Sequence, residues 1–407
     1  MLFHYFKGKI SRGFIATYSA RMVIQAAGAL VGLFLPIFLY NFFNFNLQYV
    51  LWYYLIGHFI YATIVACGCK FLNKIGLRRS IIISVFWGAL FYFCFYLMSN
   101  ENLSWSVNGK YMLGLLLASI LFLTLLRSMY WVPLHTNLAK FTNKSNRAKQ
   151  LSLMSATAIV LSTFMPLLAG WILITHGFNV LFLITIIIYL LSLIPLITSP
   201  RTNEKFSWTY MQTWKELLSK KRRRVVMAYF GDGAETAVGA VIWPIFIWQL
   251  LKGNYFQVGV ISALIVVVTV LLQLAIGKFT DLSNKSKILK FSSVFYALGW
   301  VVKIFIFTAF QIFVVSAYHG LMKLFTRTVF DTMYYQDSAD QGHYVDEYTV
   351  IHEMAIQYGK TLMLLFISIL VMFFGMQWSF ILAAIASLLL NFLSKDEELQ
   401  QIKKRVS

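Results

Sequence analysis

Cys69–Arg79 reads CKFLNKIGLRR, and Gly277–Lys287, 208 positions later, reads GKFTDLSNKSK. Each is a short basic connector between long apolar stretches. The offset pairs Asn73 with Asp281, Gly76 with Asn284, and Arg78–Arg79 with Ser286–Lys287. Pro36 and Pro244 fall at the same offset, and further along Arg127 meets Arg327 at an offset near 200. Two copies of one six-span unit, joined head to tail, account for this pattern. It is the arrangement of parallel-repeat transporters.

Composition supports a membrane chain. Of 407 residues, 59% are hydrophobic and 12% charged, where soluble domains carry about 25% charged. Mean hydropathy is +0.71. Apolar runs recur that are long enough to cross a ~30 Å hydrocarbon core. Twelve spans are predicted, at about 14–40, 47–70, 80–98, 111–135, 150–175, 179–199, 225–250, 256–279, 288–307, 309–335, 347–374 and 377–394. Connections such as "THGF" (Thr175–Phe178) are short enough to force antiparallel neighbours. The domains read as residues 1–199, a basic linker 200–224, and residues 225–407.

The net charge of +20 does not point to nucleic acid. The cations gather in every second loop, as the positive-inside rule requires, and there they meet lipid headgroups. Both termini are therefore expected in the cytoplasm, with the chain multi-pass in a plasma membrane. The compact loops favour a bacterial inner membrane. The basic N-terminus leads into an apolar run too long for a cleavable signal. In the linker, Phe206, Tyr210, Trp214 and Leu217/Leu218 have helical spacing, which predicts an amphipathic helix at the membrane surface. Cys67, Cys69 and Cys94 read as small buried apolar residues.

The paired loops resemble the signature of the major facilitator superfamily: Gly, three residues, Asp, Arg, one residue, Gly, then a basic pair. The first copy keeps Gly76, Arg78 and Arg79, with Lys74 for the arginine, Cys69 for the first glycine and Asn73 for the acid. The second keeps Gly277 and Asp281, with Lys285 and Lys287. The resemblance implies an all-α fold of twelve transmembrane helices in two pseudo-symmetric six-helix bundles around an alternately opening cavity. It also implies a gating role for Asn73, Gly76, Arg78, Arg79, Gly277 and Asp281, and a protein that works as a monomer.

Charges inside spans mark cavities, pathways or one another. Asp232, Glu235, Thr236 and Gly239 share one helical face of span seven. Glu235 lies eleven residues past Arg224, or ~16 Å along a helix, near mid-membrane. Gly231 and Gly233 weaken the helix beside them and would let it unwind. Span ten carries the stripe His319, Lys323, Arg327 and Asp331, and span eleven places Thr349, Glu353, Gln357 and Lys360 together. Span one holds Arg21 and Gln25 beside Tyr18, Gly28 and Gly32, the glycines suited to close helix packing. Span four adds Arg127. Lys303 near an end of span nine is expected to snorkel.

The expectation is a secondary transporter. Its cargo is an organic anion or zwitterion held by some of Arg21, Gln25, Arg127, Lys323, Arg327 and Lys360. A carboxylate that is neutral when desolvated and charged when a cation reaches it can carry a proton, with Glu235 first and Asp232 and Glu353 as further candidates. The same charges could instead be structural ion pairs. Two other readings stay open: proton-driven efflux of lipophilic cations drawn by Asp232 and Glu235, and a transporter-like sensor or lipid-handling protein. An enzyme is not expected. "HEMAI" at His352–Ile356 lacks the second histidine of a zinc motif, no phosphate-binding loop occurs, and neither metal nor cofactor is implied.

Overall fold

The computed structural model describes residues 11–100, 105–141, 147–200, 206–276, 285–340 and 345–394. Gly277 and Asp281 of the second loop lie outside them. Among the described residues every regular element is helical. In chain order these are α1 (Arg12–Gly32), α2 (Leu35–Phe42), α3 (Leu47–Ile75), α4 (Leu77–Met98), α5 (Trp105–Phe141), α6 (Arg147–Leu191), α7 (Leu193–Ile197), α8 (Tyr210–Leu217), α9 (Arg223–Ala237), α10 (Trp243–Leu250), α11 (Tyr255–Ile276), α12 (Lys285–Val302), α13 (Ala309–Asp340), α14 (Val345–Leu370) and α15 (Ser379–Leu389).

The duplication is visible in the helix boundaries. α2 and α3 begin at Leu35 and Leu47, and α10 and α11 begin 208 positions later at Trp243 and Tyr255. Pro36 and Pro244 are each the second residue of their helix. Proline lacks an N–H and suits a first turn, and each half interrupts its first span just upstream, although Pro133 and Pro166 are carried inside α5 and α6. The first half does so with a turn at Leu33–Phe34, the second with a π-helical turn at Val238–Ile242.

Among the described residues, ten segments are long and apolar enough to cross a membrane. One, Leu153–Ile197, has 45 residues and contains Gly177 at φ 76°, a left-handed conformation that glycine adopts without penalty. It divides there into two of the predicted spans, at the expected THGF link. α13 fails a purely compositional test because its stripe of charges lowers its hydropathy, yet its 32 residues exceed the ~20 a crossing needs. The twelve expected spans are accommodated once these two facts are included.

The helices sort into two compact units: Met1–Phe38 with Ile64–Ser207, and Leu39–Thr63 with Trp208–Ser407. In the first, α1 packs on α6 and α4 on α5, around a core that includes Phe14, Ile81, Val85, Tyr130 and Tyr189. On α5, Met112, Leu116 and Ile120 are buried while Leu113, Leu117 and Leu121 are 50–57% exposed. An exposed face as apolar as the buried one suits lipid rather than water.

In the second unit α9 packs against α14 and α15. A Cβ on Gly233 would stand 2.0 Å from the carbonyl oxygen of Ile356, and one on Gly359 2.1 Å from that of Phe230. These reciprocal glycines let the two backbones touch. The expected unwinding at Gly231 and Gly233 does not occur: α9 is helical through both, and the irregular turn comes later, at Val238. Gly28 and Gly32 also depart from expectation, since a Cβ at either meets nothing within 4 Å.

The linker helix is shorter than its aromatic spacing predicts. α8 has eight residues, capped by Thr209, whose hydroxyl accepts from Gln212 N at 3.2 Å. Phe206 lies outside it. Trp214 packs on Tyr358 of α14, with ring centroids 5.6 Å apart, and Leu218 is exposed. Cys94 is buried as expected, but Cys67 is exposed.

Candidate functional site

Two buried ion pairs join α9 to α13 in the second unit. The Arg327 guanidinium meets both oxygens of Asp232, with Nη1 donating to Oδ2 at 2.9 Å and Nη2 at 2.5 Å from Oδ1. Nη2 also reaches Thr236 Oγ1 at 3.4 Å, and Asp331 lies 3.9 Å from Nη1 on the solvent-accessible side. One turn along, Lys323 Nζ is 3.7 Å from Glu235 Oε1. The same Glu235 oxygen accepts a short hydrogen bond from Tyr296 of α12. The two pairs differ in accessibility. Glu235 is 1% exposed, but the Lys323 side chain is 40% exposed, so the lysine can be drawn away while the carboxylate stays buried.

A cavity of about 380 Å³ opens beside Glu235, within the size range of small-ligand sites. Three walls repeat one helical spacing. Thr236, Gly239, Ala240 and Trp243 come from α9 and the turn into α10. Ser316, His319, Gly320 and Lys323 come from α13, and Trp300 and Lys303 from the end of α12. Ser262 and Ile265 of α11 complete the lining. It holds two lysines and a histidine, and no carboxylate.

Lys303 does not snorkel. It is 2% exposed, and its ammonium sits 3.9 Å from the Trp243 ring centroid and 4.0 Å from that of Trp300. Two indole faces replace part of its lost hydration. His319 is stacked on Tyr296 at 4.7 Å and edge-on to Trp300 at 4.6 Å. Sequence reasoning found His319 and Lys323 through their stripe but passed over Tyr296, Trp300, Ser316 and Ser262. The signal for the first two was present: Tyr296, Trp300 and Lys303 follow i, i+4, i+7 on one helical face.

Of the other carboxylate and basic candidates, Glu353 is buried on α14 and accepts from Gln357 Nε2 at 3.4 Å, while Gln357 Oε1 accepts from His58 Nδ1 at 2.7 Å. This makes Glu353 one end of a polar chain from α14 to α3; it does not line the cavity. Lys360, half-buried on α14, does not line it either. His352 of the HEMAI stretch packs among rings, 4.2 Å from Tyr334 and 4.5 Å from Tyr229.

Arg21, Gln25 and Arg127 belong to the first unit, half-buried on α1 and α5. Arg21 is within electrostatic reach of Tyr130 and His135, and Arg127 of Tyr92. Tyr18 is bonded to Thr157 at 2.7 Å. Throughout residues 1–207 the only carboxylates are Glu101 and Glu204, both in connections between spans.

In the basic loop, Gly76 turns the chain at φ 84° between α3 and α4. Arg78 donates to the Ile197 carbonyl at the end of α7, and Arg79 is exposed. Asn73, standing where the signature has an acid, does what an acid cannot. Its Nδ2 donates to Phe206 O and its Oδ1 accepts from Phe206 N, both at 2.8 Å. The amide thus clamps the first described residue of the linker.

A family model for the Major Facilitator Superfamily matches residues 17–234. Among solved structures, the chain is similar to a POT family transporter in complex with 5-aminolevulinic acid, with a TM-score of 0.66 at 10% identity, covering 93% of this chain and 94% of that one. It is also similar to a POT family transporter in complex with a thioalcohol-conjugated peptide, with a TM-score of 0.68 at 9% identity and the same coverage. At such identity the likeness concerns the fold. Comparison with curated protein sequences finds no match.

Proposed function

We propose a substrate class and a coupling mechanism on the premise that the chain belongs to the Major Facilitator Superfamily, and so is a secondary transporter in a membrane rather than an enzyme. The cargo is a small organic anion or zwitterion, and its movement is coupled to a proton carried by Glu235. One observation carries this reading: the cavity beside Glu235 is lined by Lys303 and Lys323 and by no carboxylate. A lipophilic cation entering it would meet ammonium groups, with Asp232 and Glu235 already held by cations.

Coupling follows from competition for Lys323. With the site empty, Lys323 neutralises the buried Glu235 carboxylate. A substrate carboxylate that draws Lys323 away leaves Glu235 charged and buried, which costs several kcal/mol. A proton on Glu235 removes that cost. A proton alone strands Lys323 instead. The states that leave neither Lys323 nor Glu235 uncompensated are the empty site and the site holding both proton and anion, and those are the states that can close and reopen. Arg21 and Arg127, in a half whose predicted spans hold no carboxylate, add cationic ground for an anionic cargo. The solved transporters of similar fold include one with 5-aminolevulinic acid bound, which carries both a carboxylate and an amine.

In this reading a monomer works in a bacterial inner membrane, with both termini cytoplasmic. The test uses proteoliposomes under an imposed pH gradient, with labelled 5-aminolevulinic acid and small peptides as first cargoes. The wild-type protein should accumulate cargo against its gradient. Glu235→Gln, a permanent mimic of the protonated acid, should exchange cargo but not accumulate it. Accumulation by Glu235→Gln equal to wild type would sink the mechanism.

A further inference from the structure

The lysine that exchanges partners is not well placed to be the principal anchor, because it is committed to Glu235 in the empty site. Lys303 is different. Among the described residues no carboxylate forms an ion pair with it, and its contacts are the two indole faces. Those contacts leave an N–H for a third partner, and Lys303 lines the cavity.

Three further side chains of the cavity wall are more than nine-tenths buried and each carries a polar atom that lacks a hydrogen-bond partner among the described residues: Ser316 Oγ, His319 Nε2 and Trp300 Nε1. Buried polar groups are nearly always paired, and each exception calls for an explanation. Here all three belong to side chains lining one cavity, together with Lys303. Their chemistry agrees. Serine, the indole N–H and the imidazole can each donate, and an ammonium supplies the charge. The charge count points the same way. Asp232 is held by Arg327 and Glu235 by Lys323, which leaves Lys303 as the cation of the cavity without a carboxylate among the described residues. Asp331, whose side chain is 53% exposed, lies beyond Arg327 and does not line the cavity.

We infer that the cavity in the second unit contains a monocarboxylate subsite in which Lys303 anchors the anion and Ser316, Trp300 and His319 hydrogen-bond its oxygens. The inference deepens the reading of this cavity as the substrate site: Lys303 holds the cargo, and Lys323 reports its presence to Glu235. The remaining walls, at Gly239, Ala240 and Ile265, are small or apolar.

The test is a melting-temperature and affinity titration of the purified full chain with matched pairs: butyrate and butyramide, benzoate and benzamide, alanyl-alanine and its C-terminal amide. At least one acid should raise the midpoint while its amide does not, since a ligand that binds the folded state stabilises it by mass action. Lys303→Gln should weaken that acid about 10- to 100-fold, the range for losing a charge-assisted hydrogen bond. Ser316→Ala, a change too small to threaten folding, should weaken it less, and Lys215→Gln, an exposed site on α8, should leave it unchanged. Equal shifts by acid and amide, or no shift by any acid, would overturn the subsite. So would binding that survives Lys303→Gln and disappears in Arg127→Gln, although that result would leave anion transport itself standing.

Discussion

Replacing Gly233 with alanine puts a methyl carbon 2.0 Å from the Ile356 carbonyl oxygen and 2.7 Å from that residue's Cα and carbonyl carbon. The obstruction is backbone, so no rotamer change relieves it. α9 and α14 must separate locally by more than about 1 Å to restore ordinary contact near 3.5 Å. Overpacking of this kind costs about 1–3 kcal/mol, occasionally more, and a backbone clash belongs at the upper end. Alanine returns about 1 kcal/mol through its helix propensity. The net loss is about 2 kcal/mol, which for a body of this size lowers the melting temperature by about 4–8 °C. Gly28→Ala is the internal control. Nothing lies within 4 Å of its Cβ, so the propensity gain should leave stability unchanged or slightly raised. Both variants can be followed by differential scanning fluorimetry in detergent. Equal melting temperatures for the two would refute the argument that α9 and α14 meet at backbone contact. The comparison bears on function because α9 carries Asp232 and Glu235, and a displaced α9 shifts both away from α13.

The Asp232–Arg327 pair should respond asymmetrically to truncation. Arg327→Met leaves a nearly inaccessible carboxylate without its cation and should cost about 3–5 kcal/mol, whereas Asp232→Asn leaves an arginine that is 32% exposed and still has Asp331 at 3.9 Å. A double-mutant cycle on melting curves reads the difference, and equal losses would show that accessibility does not govern it. Asn73→Asp keeps the acceptor for Phe206 N but sets a carboxylate against the Phe206 carbonyl. Losing that bond, about 1–1.5 kcal/mol, should speed amide exchange at residues 206–208 by roughly tenfold, and unchanged exchange would mean that the clamp is idle. Tyr296→Phe removes a hydroxyl that donates to Glu235 without altering the ring stacked on His319. Cargo affinity should change little, while the pH profile of accumulation should move. An unmoved profile would separate Glu235 from the coupling step.

Much of this molecule can be read along the chain, because what decides it is local. Whether twenty residues cross a bilayer depends on their own hydropathy, and Pro36 and Pro244 suit the first turn of a helix because proline lacks an N–H. The 208-residue offset needed no structure, and the helix starts at Leu35 and Leu47 repeat it. The stripe His319, Lys323, Arg327 and Asp331 was legible for the same reason: four-residue spacing stacks side chains on any helix. Partners across helices are another matter. Asp232 and Arg327 are 95 positions apart, and nothing in either neighbourhood selects the other. Lys303 reads as a snorkelling lysine until Trp243, from a different span, is seen to cover it. Gly233 reads as a weak point in a helix until Ile356 is found against it. Those outcomes depend on how helices are docked, and docking is set by the sum of many contacts between distant segments. The sequence by itself determined a duplicated membrane chain with buried charges. Only the tertiary structure decided which charges neutralise one another, and that they leave Lys303 facing a cavity with no carboxylate in its walls.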